Sequence, residues 1–403
     1  MACFICKSDN LFKFLDLGAQ PPSDAFVREE NLPKPEAVYP LELYFCEDCS
    51  LVQLGYVVDP KVLFSEYVYT TGMNNSLRAN FKALVEKIVK RFSVGPNDFV
   101  IDVGSNDGTL LSNYASLGVK MLGIDPSSAG AIAVKNGIPT LSRFFDEETA
   151  RMVVKEHGQA KIITATNVFA HVADLDSFMR GIELLLSPEG AFISESGYLL
   201  DMIETLGYDA VYHEHLRYYS LKPLQRLFRN YGMEVFDAER IPSHNGSIRV
   251  YAGKKGAYAI QKSVQKLASE EERTGLHKRD TLVAFGRRVY EHKEKLAALL
   301  RELKEKGKRL VGIGAPAKGN TLLNSVRIGS DILDALLEKS DLKIGLFAPG
   351  SRIPVRSEET LFATQPDYAL LLSWNLSDEL IPKLRTKGYR GKFIIPFPEI
   401  RIV

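Results

Sequence analysis

The stretch DFVIDVGSNDGTLLSNYASLGVKMLGIDPS, residues 98 to 127, constrains the fold of this 403-residue chain more than any other. Apolar residues run into Asp102, a glycine-bearing turn spans Gly104 to Gly108, TLLSNYASLG has helical spacing, and a second apolar run ends at Asp125. That is strand, turn, helix, strand, and the rhythm continues. KIITATNVFAHV (161–172) reads as a strand ending in a polar loop, DLDSFMRGIELLLSPEG as a helix and AFISESGYL as another strand. SLKPLQRLFRNYGMEVFDAERI then reads as helix and strand, and GSIRVYAGKK as a final strand. Strands separated by helices in this order imply an α/β fold with a mainly parallel sheet covered on both faces. Ligands of such sheets collect at the carboxyl ends of the strands, where Gly104, Asn106, Asp125, Asn167 and His171 fall.

The design recurs near the other end. KRLVGIGAPAKGNTLLNSV (308–326) repeats strand, glycine turn and helix, and DYALLLSWN (367–375) and GKFIIPFP (391–398) read as later strands of a second Rossmann-like unit. Gly312, Gly314 and Gly319 open the backbone there, and Lys318 adds a positive charge at a helix start, a combination suited to phosphate. The plain alternative is a packing turn with an exposed lysine. Between the two units, residues 258–306 are charged and amphipathic and read as a helical connector with a solvated face.

All four cysteines lie in the first 49 residues, as CFIC (Cys3, Cys6) and CEDC (Cys46, Cys49). Two C-x-x-C knuckles supply four thiolates, the set that zinc accepts in a closed structural site, whereas a redox pair or free thiols are the alternatives. Four cysteines leave no open coordination position, so the metal is expected to hold the fold, remote from any chemistry. The expected division is a zinc module over 1–65, an α/β domain over 66–257, the connector over 258–306 and a second α/β domain over 307–403.

Fifty-one basic against fifty acidic residues leave no field that favours nucleic acid. No apolar run is long enough to span a membrane, and MACFICKSDN lacks the layout of a signal peptide. These features suggest a soluble cytoplasmic protein with small-molecule partners.

The first glycine turn, G-S-N-D-G, fails the G-x-G-x-x-G fingerprint of nicotinamide dehydrogenases and resembles instead the S-adenosylmethionine (SAM) turn of class I methyltransferases. Asp102, Gly104, Ser105, Asn106, Asp125 and Asn167 form the candidate SAM set, with Asp125 closing the second strand as an acceptor for ribose hydroxyls.

YHEHLRYYS (212–220) packs two of seven histidines around a carboxylate, with three tyrosines and an arginine. Together with the double C-x-x-C, VGSNDGTLL, NVFAHV and GAPAKGNTLLN, in that family order, the chain resembles along nearly its full length the sugar C-methyltransferases acting on nucleotide-linked 4-keto-deoxysugars. The resemblance implies a zinc-binding amino-terminal module, a central SAM domain and a carboxyl-terminal domain that helps hold a nucleotide-linked ketosugar. It puts His215 at the position of the catalytic base, with Glu214 and Tyr212 beside the sugar and His171 and Asn167 lining the same cleft. It further implies a tyrosine-bearing loop at Tyr67 and Tyr69, and substrate contacts from Lys318 and Asn320. His213 stands where relatives of this kind carry aspartate.

The residue types suit the chemistry. A carbon beside a ketone becomes a nucleophile when a base such as histidine removes its proton and hydrogen-bond donors hold the enolate oxygen. A metal site from His171, His213, His215 and Glu214 is a further reading of the cluster. His244, Asn245 and Arg249 of PSHNGSIRV are additional cleft candidates, with pairing to a surface acid as the plain reading of Arg249. An O- or N-methyltransferase for another small molecule, and a zinc-bearing SAM-binding protein without catalysis, stay open as alternatives.

Overall fold

Three β-sheets and one segment shared between two of them position the site. A computed structural model of the protein describes residues 1–64 and 75–403. The amino-terminal sheet is built from β1 (Leu11–Gln20), β2 (Tyr39–Cys46) and β3 (Val52–Leu54), all antiparallel. The central domain follows with β4 (Phe99–Val103), β5 (Lys120–Ile124), β6 (Thr140–Leu141), β7 (Ala160–Thr166), β8 (Leu186–Gly197), β9 (Arg217–Tyr218), β10 (Met233–Ile241) and β11 (Ser247–Lys254). Its seven-stranded sheet has the order β10-β11-β8-β7-β4-β5-β6. All five residues of β4 are buried, because helices cover both faces of a central parallel strand.

The expected α/β architecture is present, with local differences. The sheet is parallel from β8 to β6, whereas β11 runs antiparallel to β8 and β10 antiparallel to β11. The turn after β4 leads into a 3-10 helix, Leu111–Leu117, stopped by Gly118 in the left-handed region. The stretch LSPEG belongs to β8 and not to the preceding helix, which ends at Leu185. Ser187 precedes Pro188, and the proline ring disfavours helical backbone at the residue before it.

The strand β9 pairs outside the central sheet, while the next residue, Tyr219, bridges to Tyr198 just beyond β8. The partner of β9 is β3, Val52 opposite Tyr218 and Gln53 opposite Arg217, so part of YHEHLRYYS is the fourth strand of the amino-terminal sheet.

Residues 258–306 contain two helices, Lys262–Arg273 and Arg279–Glu305. The second packs on the first module through Phe285 against Phe14, with ring centroids 6.5 Å apart. The final sheet comprises β12 (Leu310–Ile313), β13 (Leu336–Glu338), β14 (Val355–Ser357), β15 (Tyr368–Leu371), β16 (Lys392–Ile395) and β17 (Arg401–Ile402), in the order β14-β13-β12-β15-β16-β17. It is parallel except for β17. In this sheet, as in the central one, the glycine turn follows a strand whose two neighbours connect in opposite directions, the switch point where crevices form.

Candidate active site

The two knuckles of the amino-terminal module have the same geometry. The residue after each second cysteine, Lys7 and Ser50, adopts a left-handed conformation, and its N–H returns to the carbonyl of the first cysteine, at 3.0 Å on Cys3 and 2.8 Å on Cys46. All four sulfur atoms lie within 4.8 Å of one another, with Cys3 and Cys49 3.4 Å apart and Cys6 and Cys46 3.5 Å apart. Tetrahedral zinc with bonds of about 2.3 Å needs sulfur separations of about 3.8 Å, so the residues fit the ion. Among the described residues this is the only cluster with metal-holding geometry, and the histidine cluster of YHEH does not form one.

At the end of β4 the Gly104 turn approaches the loop after β7 so closely that a Cβ on Gly104, at φ +69°, would lie 2.1 Å from the Val168 side chain. Asn106 holds a left-handed conformation and donates its backbone N–H to Asp125 at 2.8 Å. The other Asp125 oxygen accepts the Ser127 N–H at 2.8 Å, so the carboxylate is held rigidly at the mouth of the crevice. Ser105 Oγ is buried with no hydrogen-bond partner. Asp102 accepts from Thr164 Oγ1 at 2.6 Å, and burial pushes its carboxyl up to about 7. A buried orphan hydroxyl, an acid beside the turn and an acid below it suit a cationic, ribose-bearing ligand such as SAM.

Around this crevice stand further polar groups at the strand ends. Asn167, after β7, has φ +56° and donates its backbone N–H to the Glu195 carbonyl at 2.8 Å. Glu195, fully buried, takes Arg249 Nη2 at 2.8 Å and the Asn80 amide at 3.2 Å. Arg249 therefore pairs chiefly with a buried acid, with the partly exposed Glu239 farther off at 3.9 Å. His244 sits at φ +51°, ahead of Gly246, whose Cβ would lie 2.1 Å from Asp201 Cγ. Backbone strain of this kind at strand ends accompanies ligand sites.

The segment YHEHLRYYS divides between the cleft and the rest of the molecule. His215 is half-buried and donates from Nδ1 to the Ala210 carbonyl at 2.9 Å, which leaves Nε2 without its hydrogen in the neutral ring. Tyr212 lies against it at 3.9 Å between ring centroids and His171 at 4.9 Å. Burial pushes His215 down to about 4, opposed by the Ala210 hydrogen bond, and burial, His215 and Arg217 hold His171 well below the ordinary range. Tyr218 stands edge-on to His215 with ring centroids 6.4 Å apart and its hydroxyl reaches the same Ala210 carbonyl at 3.5 Å, whereas His213, Glu214 and Tyr219 turn away. His213 is buried, donates from Nε2 to the Tyr39 carbonyl at 3.2 Å and stands edge-on to the Tyr39 ring. Glu214 is buried between modules, where burial and Asp24 push its carboxyl up to about 8 against the opposing Lys343. Tyr219 stacks on Phe169 with centroids 5.1 Å apart.

The carboxyl-terminal domain and the long connector helix pack on the turn Tyr208–Ala210, just before this segment. Trp374 Nε1 donates to buried Asp209 at 2.6 Å, and Tyr208 donates to His292 Nδ1 at 3.1 Å. Lys318 bonds Asn375, lies 5.2 Å from the Trp374 ring and is close enough to Asp209 and His244 for their charges to interact. Asn320, in contrast, is fully buried and donates to the Ser23 carbonyl at 2.7 Å, so its side chain faces the amino-terminal module. Gly312 and Gly319 are packing positions, since a Cβ at either would lie under 3.0 Å from Leu336 or Leu372. Tyr67 and Tyr69 lie outside the described residues. Glu195, Asn80 and Asp209 escaped sequence reasoning, because an acid inside a strand pattern or helix carries no local signal of its partner.

Comparisons with known proteins follow this layout. Family models match residues 3–64 as a zinc binding domain, 76–238 as a methyltransferase domain and 242–398 as a C-methyltransferase C-terminal domain. The chain is 31% identical over its whole length to the C-methyltransferase NovU of Streptomyces niveus, covering 96% of that protein. It is 31% identical over 100 residues to a ubiquinone biosynthesis O-methyltransferase of Methylobacterium sp. (strain 4-46), which involves 24% of this chain and 39% of that one. Among solved structures, the PH0226 protein of Pyrococcus horikoshii OT3 aligns with 49% of this chain and 97% of its own at 14% identity and a TM-score of 0.37, too low for the likeness to support any inference. The cofactors are SAM, in the methyltransferase domain, and zinc, in the four-cysteine module.

Proposed function

Because the chain belongs to the C-methyltransferase family, with zinc-binding, methyltransferase and carboxyl-terminal domains in succession, we propose that it methylates carbon 3 of a nucleotide-linked 4-keto-6-deoxyhexose through an enolate. The observation that supports this reading is the His215 ring, whose Nδ1–H is held by the Ala210 carbonyl and which lies against the His171 and Tyr212 rings.

His215 takes the proton from the carbon beside the ketone at Nε2, and the electron pair of the C–H bond passes into the enolate. Burial keeps the imidazole neutral in the free protein, and the Ala210 carbonyl stabilises the imidazolium once formed. Tyr212, Tyr67 and Tyr69 are candidate donors to the enolate oxygen, His171 and Asn167 would line the cleft, and Glu214 would brace the segment from behind. Asp102, Gly104, Ser105, Asn106 and Asp125 would hold SAM, which supplies an electrophilic methyl group on a sulfonium. Lys318 would meet the diphosphate of the nucleotide, while Asn320 would act through the packing of its helix.

Incubating the protein with SAM and a panel of nucleotide-linked 4-ketosugars tests the reading. The expected product carries a methyl group in place of the hydrogen at carbon 3; methylation on oxygen or nitrogen, or none with any ketosugar, would overturn the reading.

A further inference from the structure

Arg217, two residues beyond His215, is 1% exposed, and its Nε, Nη1 and Nη2 atoms have no hydrogen-bond partner among the described residues. A buried guanidinium without a partner is costly, since both its charge and its donors lose water. Its surroundings are those of the metal knuckle. The guanidinium carbon lies 4.7 Å from the ring centroid of Phe4, between the two cysteines of CFIC. Gln53, its neighbour across the β3–β9 pair, accepts the Phe4 N–H at 3.0 Å and donates to the Ala2 carbonyl at 3.2 Å. The acidic groups whose charges reach Arg217 are Tyr219, Asp176 and Cys3, and on the cleft side His171 is the ionisable neighbour, without negative charge. Asp176 already takes Lys7 at 2.6 Å and the Tyr231 hydroxyl at 2.5 Å.

We propose that Arg217 is the buried counter-charge of the zinc tetrathiolate, and that this pairing fastens the strand beyond His215 to the metal knuckle. One Zn2+ with four thiolates carries a net charge of about −2, and the described structure offers Arg217 no other uncommitted anion. Arg217 is thus a positioning residue. It holds the end of the segment whose other end carries His215, and it makes zinc occupancy a condition for that segment's placement. The cation–π contact with Phe4 contributes as well, but it does not depend on the metal.

The test uses the full-length, zinc-loaded protein and follows zinc transfer to a chromophoric chelator, with circular dichroism as the check of folding. Arg217→Met keeps the apolar stem and removes the charge; it is expected to release zinc roughly 10- to 100-fold faster, the usual effect of losing a group that supports metal ligands. Arg217→Lys keeps the charge and is expected to release zinc at a rate closer to wild type than to Arg217→Met. Should Arg217→Met fail to accumulate as folded protein, the neutral Arg217→Gln takes its place in the same comparison. An unchanged rate in the neutral variant would overturn the proposal. So would a lysine variant as fast as the neutral one, because shape and not charge would then be what the site requires.

Discussion

His215 donates its Nδ1 hydrogen to the Ala210 carbonyl at 2.9 Å, and a carbonyl oxygen can only accept, so the ring's tautomer follows from this contact. Ala210 ends the short turn Tyr208–Ala210, which Trp374 and His292 pin from the carboxyl-terminal domain and the long connector helix. The orientation of the proposed base is therefore set by elements far away in the chain.

If His215 is the base, the proton beside the ketone exchanges with solvent when the ketosugar is bound, and deuterium enters at the carbon later methylated. In His215→Asn, exchange and methylation should fall together by roughly 10²- to 10⁴-fold, while SAM affinity stays near wild type. His213→Asn, whose native ring bonds Tyr39 outside the cleft, should leave exchange largely intact. Mass spectrometry in heavy water measures both, and wild-type turnover in His215→Asn would remove it from the mechanism.

Asp102 bears on the pH dependence of cofactor binding. Its carboxyl is pushed up to about 7 by burial, so it gains negative charge as the pH rises through that value. A sulfonium ligand binds the charged form better, so SAM affinity should increase from pH 6 to pH 8, and Asp102→Asn should flatten the dependence. Asp125→Ala should weaken SAM binding at all pH values by about 1.5 to 3 kcal/mol, the range for hydrogen bonds to a charged group. Titration calorimetry across this pH range decides both.

The zinc site makes a separate expectation. Cys46→Ser should lose the metal and then the order of the amino-terminal sheet, because three thiolates cannot close the tetrahedron. Since β9 belongs to that sheet, activity should decline as a consequence of the lost fold. Metal analysis of freshly purified wild-type protein should find one zinc per chain; its absence would refute the assignment.

Glu195 and Arg249 form a buried ion pair, so removing one partner is expected to cost more than removing both. Arg249→Met leaves the Glu195 carboxylate uncompensated and should destabilise the protein by about 3 to 5 kcal/mol. The double variant Glu195→Gln with Arg249→Met should recover part of this loss in denaturant unfolding. Destabilisation by the double variant equal to the sum of the two single variants would show the pair to be uncoupled.

What the sequence by itself determined is local in origin. Apolar spacing marked the strands and helices of both α/β units, and the two C-x-x-C pairs marked the metal module, because each signal is confined to a short stretch of chain. The tertiary structure alone decided which members of YHEHLRYYS face the cleft. Tyr39 claims His213, Asp24 and Lys343 surround Glu214, and Phe4 covers Arg217, leaving Tyr212 and His215 half-buried beside His171. The same holds for Asn320, drawn to Ser23, and for Arg249, drawn to Glu195. A polar side chain's direction depends on which distant group satisfies it once water is excluded, and no local pattern of residues encodes that partner.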